Sequence, residues 1–314
     1  MRTKVMRYEL TLSCLLLSFW VTACTESTSQ QTVQNSLTPK VLVIGIDGIR
    51  PDVLMNVETP NLDKLAAEGF FTDQATTGYP SVSGPGWSSM LNGVWPDKHG
   101  VTDNSFEGEH YNDFPDFLTR IEQIRPELET FVVADWAPLG HSDQGNPPIS
   151  DAVDVKIVLD GYESGWAEAD TKSVQLAVEQ LKTSNPDALF VYLGNPDEIS
   201  HEYSSIGSEY RDAIALADKH VGVLVKAIQG RGTYAKEDWL ILSSTDHGRR
   251  LDGGHGGNSE EERTIYFLAS GPSVIPPTPS DSTFIVDVAV TALAHLKIQI
   301  NPSWKLDGKP VGIR

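Results

Sequence analysis

The run Val41-Leu42-Val43-Ile44-Gly45-Ile46 is apolar without alternation and is bounded by Lys40 and Asp47. Such a run suits a strand covered on both faces in a mainly parallel sheet, because neither face has to meet water. The period then changes. Thr59-Pro60-Asn61-Leu62-Asp63-Lys64-Leu65-Ala66-Ala67-Glu68-Gly69 predicts a helix, with Thr to cap it, Pro in the first turn where no amide hydrogen is needed, and Gly to end it. Further along, Phe131–Ala134 predicts a strand, Thr171–Thr183 an amphipathic helix and Ala188–Gly194 a strand. Glu209–Gln229 predicts a long helix, Trp239–Ser243 and Thr264–Ala269 two strands, and Ile285–His295 a last helix. Strand and helix taking turns over this length predict one α/β domain over 40–314, a doubly wound and mainly parallel sheet with helices on both faces.

Ahead of that domain the pattern differs. Arg2, Lys4 and Arg7 precede an apolar run from Leu10 to Val21, too short and wrongly flanked for a spanning helix, which predicts an export signal over 1–23. It ends in Val21-Thr22-Ala23-Cys24, which resembles the bacterial lipobox: small residues admit the signal peptidase and the Cys24 thiol takes a lipid. Ordinary cleavage after Ala23 is the alternative. Cys14, the other cysteine, leaves with the signal, so the mature chain would form no internal disulfide. The polar stretch 24–39 predicts a flexible tether. The expected location is exported, lipid-anchored to a bacterial membrane and facing the periplasm or the exterior.

The chain has 314 residues, 39 % of them hydrophobic, enough for one large core. Loss of residues 1–23 removes three basic residues and one acidic one, leaving 21 basic against 42 acidic. That balance argues against a nucleic-acid backbone or an anionic bilayer as the main binding surface, so the lipid is the expected membrane contact. Small phosphate esters stay open as substrates where bound cations reverse the local field.

Candidate chemistry gathers around Gly78-Tyr79-Pro80-Ser81-Val82-Ser83-Gly84-Pro85-Gly86. The chain must turn there, which leaves the Ser83 hydroxyl at the mouth of a turn, and Trp87 to Leu91 can start a helix whose first N–H groups point back at an anion. Asp47 follows the first strand, Asp197 and His201 follow Ala188–Gly194, and Asp246 and His247 follow Trp239–Ser243. All are expected to meet at the carboxyl edge of the sheet, where α/β folds keep their sites. Asp197 and His201 share a face if their segment is helical, although such a pair is usually a surface ion pair. Asp246-His247-Gly248 and Gly253-Gly254-His255-Gly256-Gly257 point further, because small residues let several ligands crowd one cation. Taken alone, His255 is equally well a histidine in a glycine loop.

Read in order, these segments resemble the alkaline phosphatase superfamily and, within it, the type I phosphodiesterase/nucleotide pyrophosphatase family. The resemblance covers Asp47-Gly48, Thr59-Pro60-Asn61-Leu62, the nucleophile segment ending at Asn92 to Gly100, and Pro196 to His201. It continues through Asp246-His247-Gly248, His255-Gly256-Gly257-Asn258 and Asp287 to Leu293. It implies an alkaline-phosphatase-like fold and two divalent metal ions, one held by Asp197, His201 and His255, the other by Asp47, Asp246, His247 and the Ser83 oxygen. Nitrogen and carboxylate donors without Cys fit Zn²⁺, with Mn²⁺ the other candidate. The implied reaction is hydrolysis of a small phosphate ester through a phosphoseryl intermediate at Ser83. Asn104 falls where the family carries an Asn that binds a nonbridging phosphate oxygen; without the resemblance it reads as a turn residue after Asp103.

Departures from the family pattern matter. Ser83 stands where the family usually has Thr, and the segment between His247 and His255 is short, so substrate recognition is not legible. Two enzymatic rivals share the superfamily. A sulfatase uses C/S-x-P-x-R, and Ser83-Gly84-Pro85-Gly86-Trp87 keeps the Ser and Pro but not the Arg. A phosphomonoesterase would use the same metals, but no Arg lies near Ser83 in sequence to take a terminal phosphate. Outside enzymes, a surface lipoprotein binding phosphorylated ligands is the alternative, and the complete ligand set argues against it. Trp87, Trp95, Trp136 and Trp166 are candidates to wall a base or aryl group, although Trp is more often a core residue.

Overall fold

The computed structural model describes residues 37–142, 145–275 and 282–313. The expected signal, Cys24 and most of the expected tether lie outside the described residues. Seven strands, β1 (Thr38–Ile46), β2 (Phe70–Thr76), β3 (Thr130–Ala134), β4 (Val155–Val158), β5 (Ala188–Leu193), β6 (Glu237–Ser244) and β7 (Thr264–Ser270), share one sheet. Their order is β2-β7-β6-β1-β5-β3-β4. β1 runs parallel to both β5 and β6, and β3 parallel to β5 and β4. β7 is antiparallel to β6 and β2, so the sheet is mainly parallel with one reversed strand near its edge.

The unbroken apolar run of β1 has its explanation in two cores. Val41 and Val43 enter one buried cluster with Phe190, Tyr192, Leu240 and Leu242. Leu42, Ile44 and Ile46 enter the other with Leu189, Val191 and Leu193. Burying each such side chain contributes about 1.5–3 kcal/mol, which fixes the register of the central strand. The longer helices are α1 (Pro60–Glu68), α2 (Ser83–Asn92), α3 (Phe117–Ile124), α4 (Trp166–Thr183), α5 (Asn195–Tyr203), α6 (Ser208–Gln229) and α7 (Asp287–His295). α2, α3 and α7 close the first cluster; α1, α4 and α6 close the second.

Several details differ from the sequence-based expectation. β1 begins at Thr38, inside the expected tether, and α4 starts at Trp166 rather than Thr171. The two edge strands, β2 and β4, have no counterpart in the expected pattern. β2 carries Asp73 and Gln74 in its middle and shifts register between Thr72 and Ala75, and β4 is only half-buried, so neither shows a clean period. α3 is a further addition, although Asp116 caps it by accepting from the Leu118 and Thr119 N–H groups. Helix α2 begins at Ser83, not Trp87, so Ser83 is a first-turn helical residue and not the tip of a turn. Pro85 is tolerated in that first turn, where its missing N–H is no loss.

Candidate active site

Three adjacent strands, β6, β1 and β5, deliver the candidate residues at their carboxyl ends. Asp47 is the residue after β1, Asp246 and His247 follow β6, and Asp197 and His201 ride on α5 just beyond β5. Asp47, Asp246 and His247 form an inner cluster, all buried. His247 Nε2 lies 3.3 Å from Asp246 Oδ2 and 3.6 Å from Asp47 Oδ1. Asp47 Oδ2 accepts from the Trp87 indole N–H at 3.0 Å and the Tyr192 hydroxyl at 2.6 Å. Asp246 Oδ1 accepts from the Gly48 N–H at 3.3 Å. The remaining oxygens, Asp47 Oδ1 and Asp246 Oδ2, are buried and find no donor among the described residues.

Asp197, His201 and His255 form an outer cluster. The helical spacing places His201 Nε2 3.3 Å from Asp197 Oδ2, and His255 Nε2 is 3.1 Å from His201 Nε2. The rings of His255 and His247 stack with centroids 3.8 Å apart, joining the two clusters. His247 Nδ1 and His255 Nδ1 face the carbonyls of Gly248 at 3.0 Å and Ser81 at 2.9 Å. A carbonyl only accepts, so both Nδ1 atoms carry the hydrogen and both Nε2 lone pairs face the site. Arg249, wholly buried, forms an ion pair with Asp197 Oδ1. Gly48 turns the chain with φ +65° beneath this pair, and a Cβ there would meet Asp197 Oδ1 at 2.3 Å.

Ser83 Oγ is 3.3 Å from His247 Nε2, beside the two unpartnered carboxylate oxygens. α2 reaches this position because Gly86 has no side chain where the helix abuts Asp246: a Cβ would sit 2.9 Å from the Asp246 carbonyl. Asn104 is exposed and its Oδ1 accepts from the Gly84 N–H at 2.7 Å. The side chain thus caps α2 from outside, since Val82 offers no side-chain cap, and it uses its oxygen for this, so that the amide group is its remaining donor.

The electrostatics are those of a site short of positive charge. Burial, then the Asp246 and Asp197 charges, pushes the Asp47 carboxyl well above the ordinary range. Burial, then Asp197, raises Asp246 as well. Burial and the neighbouring His255 hold His247 well below the ordinary imidazole range, and burial likewise lowers His255. Burial also works against the Asp197 charge, but the Arg249 guanidinium and the His201 hydrogen bond outweigh it and keep that carboxyl ionised. Carboxylates with bare, buried oxygens beside neutral imidazole nitrogens are a donor set that fits divalent cations.

A second acidic pair lies behind α5. Asp135, just after β3, and Asp170, on α4, are both wholly buried. Asp170 Oδ1 accepts from the Gly194 N–H at 2.8 Å and the Asn195 N–H at 3.3 Å, gripping the start of the helix that carries Asp197 and His201. Asp135 Oδ2 accepts from Ser173 Oγ at 2.9 Å, and Asp135 Oδ1 and Asp170 Oδ2 have no donor among the described residues. Burial raises Asp135 to about 7, and burial with the Asp135 charge raises Asp170 well above the usual range. A folded-state value above the unfolded one of roughly 3.9 means that stability falls as pH rises from about 4 to about 7. Asp135→Asn supplies the missing hydrogen covalently. It is expected to leave the melting temperature near that of wild type at pH 4 and to raise it by several degrees at pH 8; calorimetry showing no pH-dependent difference would refute the raised carboxyl pair.

Comparison with known proteins bears on this geometry. The family model for type I phosphodiesterase / nucleotide pyrophosphatase matches residues 41–250. The chain belongs to this family. Relatives include ectonucleotide pyrophosphatase/phosphodiesterase family member 3 of Rattus norvegicus, 23 % identical, matching 73 % of this chain and 27 % of that protein. The bis(5'-adenosyl)-triphosphatase of Bos taurus is 25 % identical, matching 74 % of this chain and 51 % of that protein. The chain therefore spans between about a quarter and a half of the length of these relatives. Among solved structures, a 2-O GAG sulfatase superposes with a TM-score of 0.69 at 15 % identity, covering 87 % of this chain and 73 % of that one. Murine ectonucleotide pyrophosphatase / phosphodiesterase 5 in complex with AMP superposes with a TM-score of 0.63 at 13 % identity, covering 84 % and 96 %. These likenesses establish the alkaline-phosphatase-like α/β fold.

Asp47, Asp246 and His247 come together with Ser83 beside them, Asp197, His201 and His255 form the adjoining group, and Asn104 meets the start of α2 at Gly84. Sequence reasoning missed Arg249, Trp87 and Tyr192 as groups that hold the ligands. The position of the sulfatase arginine is Trp87, wholly buried and bonded to Asp47. Arg249 does come close to the site, but its guanidinium is engaged with Asp197 and Gly253. Its one sequence signal is its place directly after Asp246-His247-Gly248. Of the other tryptophans, Trp136 packs against Phe106 and Trp95 against Phe284. Trp166 lines an open cavity of about 530 Å³ together with Asn195, Glu198 and His201.

Proposed function

We propose that the protein is a metal-dependent phosphodiesterase/nucleotide pyrophosphatase acting through a phosphoseryl intermediate at Ser83. The observation that carries this reading is the Ser83 hydroxyl on the first turn of α2, 3.3 Å from His247 Nε2 and beside two buried, unpartnered carboxylate oxygens. Asp47, Asp246, His247 and Ser83 would hold one divalent ion, and Asp197, His201 and His255 the other, zinc fitting both donor sets. When bound, such a pair lowers the pKa of a ligated hydroxyl and neutralises charge on the leaving oxygen. Ser83 Oγ attacks phosphorus in line with the leaving group, forming the Oγ–P bond as the P–O bond to the leaving alcohol breaks. Asn104 holds the start of α2 through its oxygen and donates an amide hydrogen to a nonbridging phosphoryl oxygen. Water then attacks phosphorus, the Oγ–P bond breaks, and Ser83 regains its proton.

A diester phosphate carries one negative oxygen, which two cations and a neutral donor can meet. A monoester dianion calls for a further cation, and Arg249 is already committed to Asp197. The leaving or retained organic group fits the cavity beside His201 and Trp166. Purified full chain is therefore expected to turn over an aryl phosphodiester or nucleotide aryl ester faster than the matching monoester or sulfate. Preference for the monoester or the sulfate would overturn the assignment. Expression in a bacterium with lipoprotein processing tests the proposed lipid anchor at Cys24: wild type should fractionate with membranes and Cys24→Ser should not.

A further inference from the structure

We propose that Arg249 makes the two cation positions unequal, so that the inner cluster retains its ion while the outer cluster exchanges its ion with the surrounding solution. The inference rests on the two-metal reading above. It starts from how firmly Arg249 is held. Its Nε and Nη2 donate to the Gly253 carbonyl at 2.9 and 2.6 Å, and its Nη1 donates to the Asp197 carbonyl at 3.2 Å and pairs with Asp197 Oδ1. The backbone is fixed as well, because the Arg249 carbonyl accepts from Arg50 Nη1 and Arg50 is itself forked onto Asp52. A guanidinium tied at every edge and wholly buried has no room to swing away when an ion arrives.

The consequence is an unequal distribution of charge. Asp197 has one oxygen engaged by Arg249 and offers Oδ2 to a ligand set otherwise made of two imidazoles. The carboxylate charge is cancelled by its neighbour, and the outer cluster is close to neutral. In the inner cluster, Asp47 and Asp246 bring two carboxylates whose partners are an indole N–H, a phenol, the Thr245 hydroxyl and a backbone N–H, all uncharged. Exposure runs the same way. The His201 side chain is 45 % exposed, whereas those of Asp246 and His247 are fully buried. An ion in the outer cluster meets less negative charge and has an open path to water.

The test uses the full-length protein, with zinc as the probe. Wild type, Arg249→Gln and Arg249→Lys are passed through chelator-treated buffer, bound zinc is counted by mass spectrometry, and each is titrated with zinc calorimetrically. Wild type is expected to keep about one ion per chain and to bind the second more weakly. Arg249→Gln is expected to tighten that second site by about 10–100-fold, the range typical of changes to groups that contact metal ligands. Arg249→Lys keeps the charge without the fork and is expected to keep the wild-type asymmetry. Two ions held equally by wild type would overturn the inference and leave the hydrolase reading standing. So would an unchanged second site in Arg249→Gln, or a Lys variant that behaves like Gln. Wild type that binds no zinc would overturn both. If Arg249→Gln does not fold, the two-step wild-type titration and the Lys variant decide the matter.

Discussion

Ser83→Ala is expected to leave almost no diester turnover while the protein keeps its fold, because the deleted oxygen is the attacking atom and its nearest partner is the imidazole of His247. Asn104→Ala is expected to lower kcat by about 10²–10³, the effect of removing one preorganised donor from a transition-state oxyanion, with much less change in KM. Asn104 has a second job that sharpens the test. Its Oδ1 holds the Gly84 N–H, so the alanine variant also uncaps α2 and should lose about 1 kcal/mol of stability. Asn104→Asp restores the acceptor without the donor. It should regain the melting temperature but not the rate. A fast Asp variant, or an Ala variant with unchanged diester turnover, would show that Asn104 serves the helix and not the reaction.

Metal removal is expected to have the other large effect. Exhaustive chelation should abolish turnover, and zinc should restore it. The unpartnered oxygens of Asp47 and Asp246 are the reason, since without a cation they are buried negative groups with nothing to accept. An ion bound only by the folded state at a thousand times its Kd stabilises by about 4 kcal/mol, so the metal-free protein should melt roughly 10 °C lower. Asp246→Asn should lose much of that difference, because the inner cluster then keeps one carboxylate. Calorimetry of the chelated and zinc-loaded forms reads the shift directly. Metal-free protein with full activity would exclude the mechanism proposed for Ser83.

The candidate site is legible in the sequence to the extent that its geometry is local. Asp197 and His201 meet because four residues on a helix make one turn, and Asp47 lies at a strand end because the apolar run stops before it. The double burial of β1 is visible too, since a strand with one wet face would have alternated. Along the chain, only the ordered resemblance to a family joins these pieces, and the fold brings the ligands it implies to one edge of the sheet.

Other features depend on residues far apart in the chain, and no window of sequence contains them. Arg249 is buried because Asp197, some fifty residues earlier, and the Gly253 carbonyl surround it; read along the chain, an Arg in a glycine-rich stretch looks solvated. The Asp135 and Asp170 carboxyls are raised because β3 and α4 bury them together, which neither segment shows by itself. Trp87 donates to Asp47, forty residues earlier, only because α2 packs beside the residue after β1. Sequence by itself determined most of the strands and helices that build the core and which strand ends carry the candidate residues, because period and spacing act within a few residues. Tertiary structure alone decided which polar groups are dry, which of them are paired, and hence how charge is shared between the two clusters, because desolvation is set by whatever packs from outside the segment.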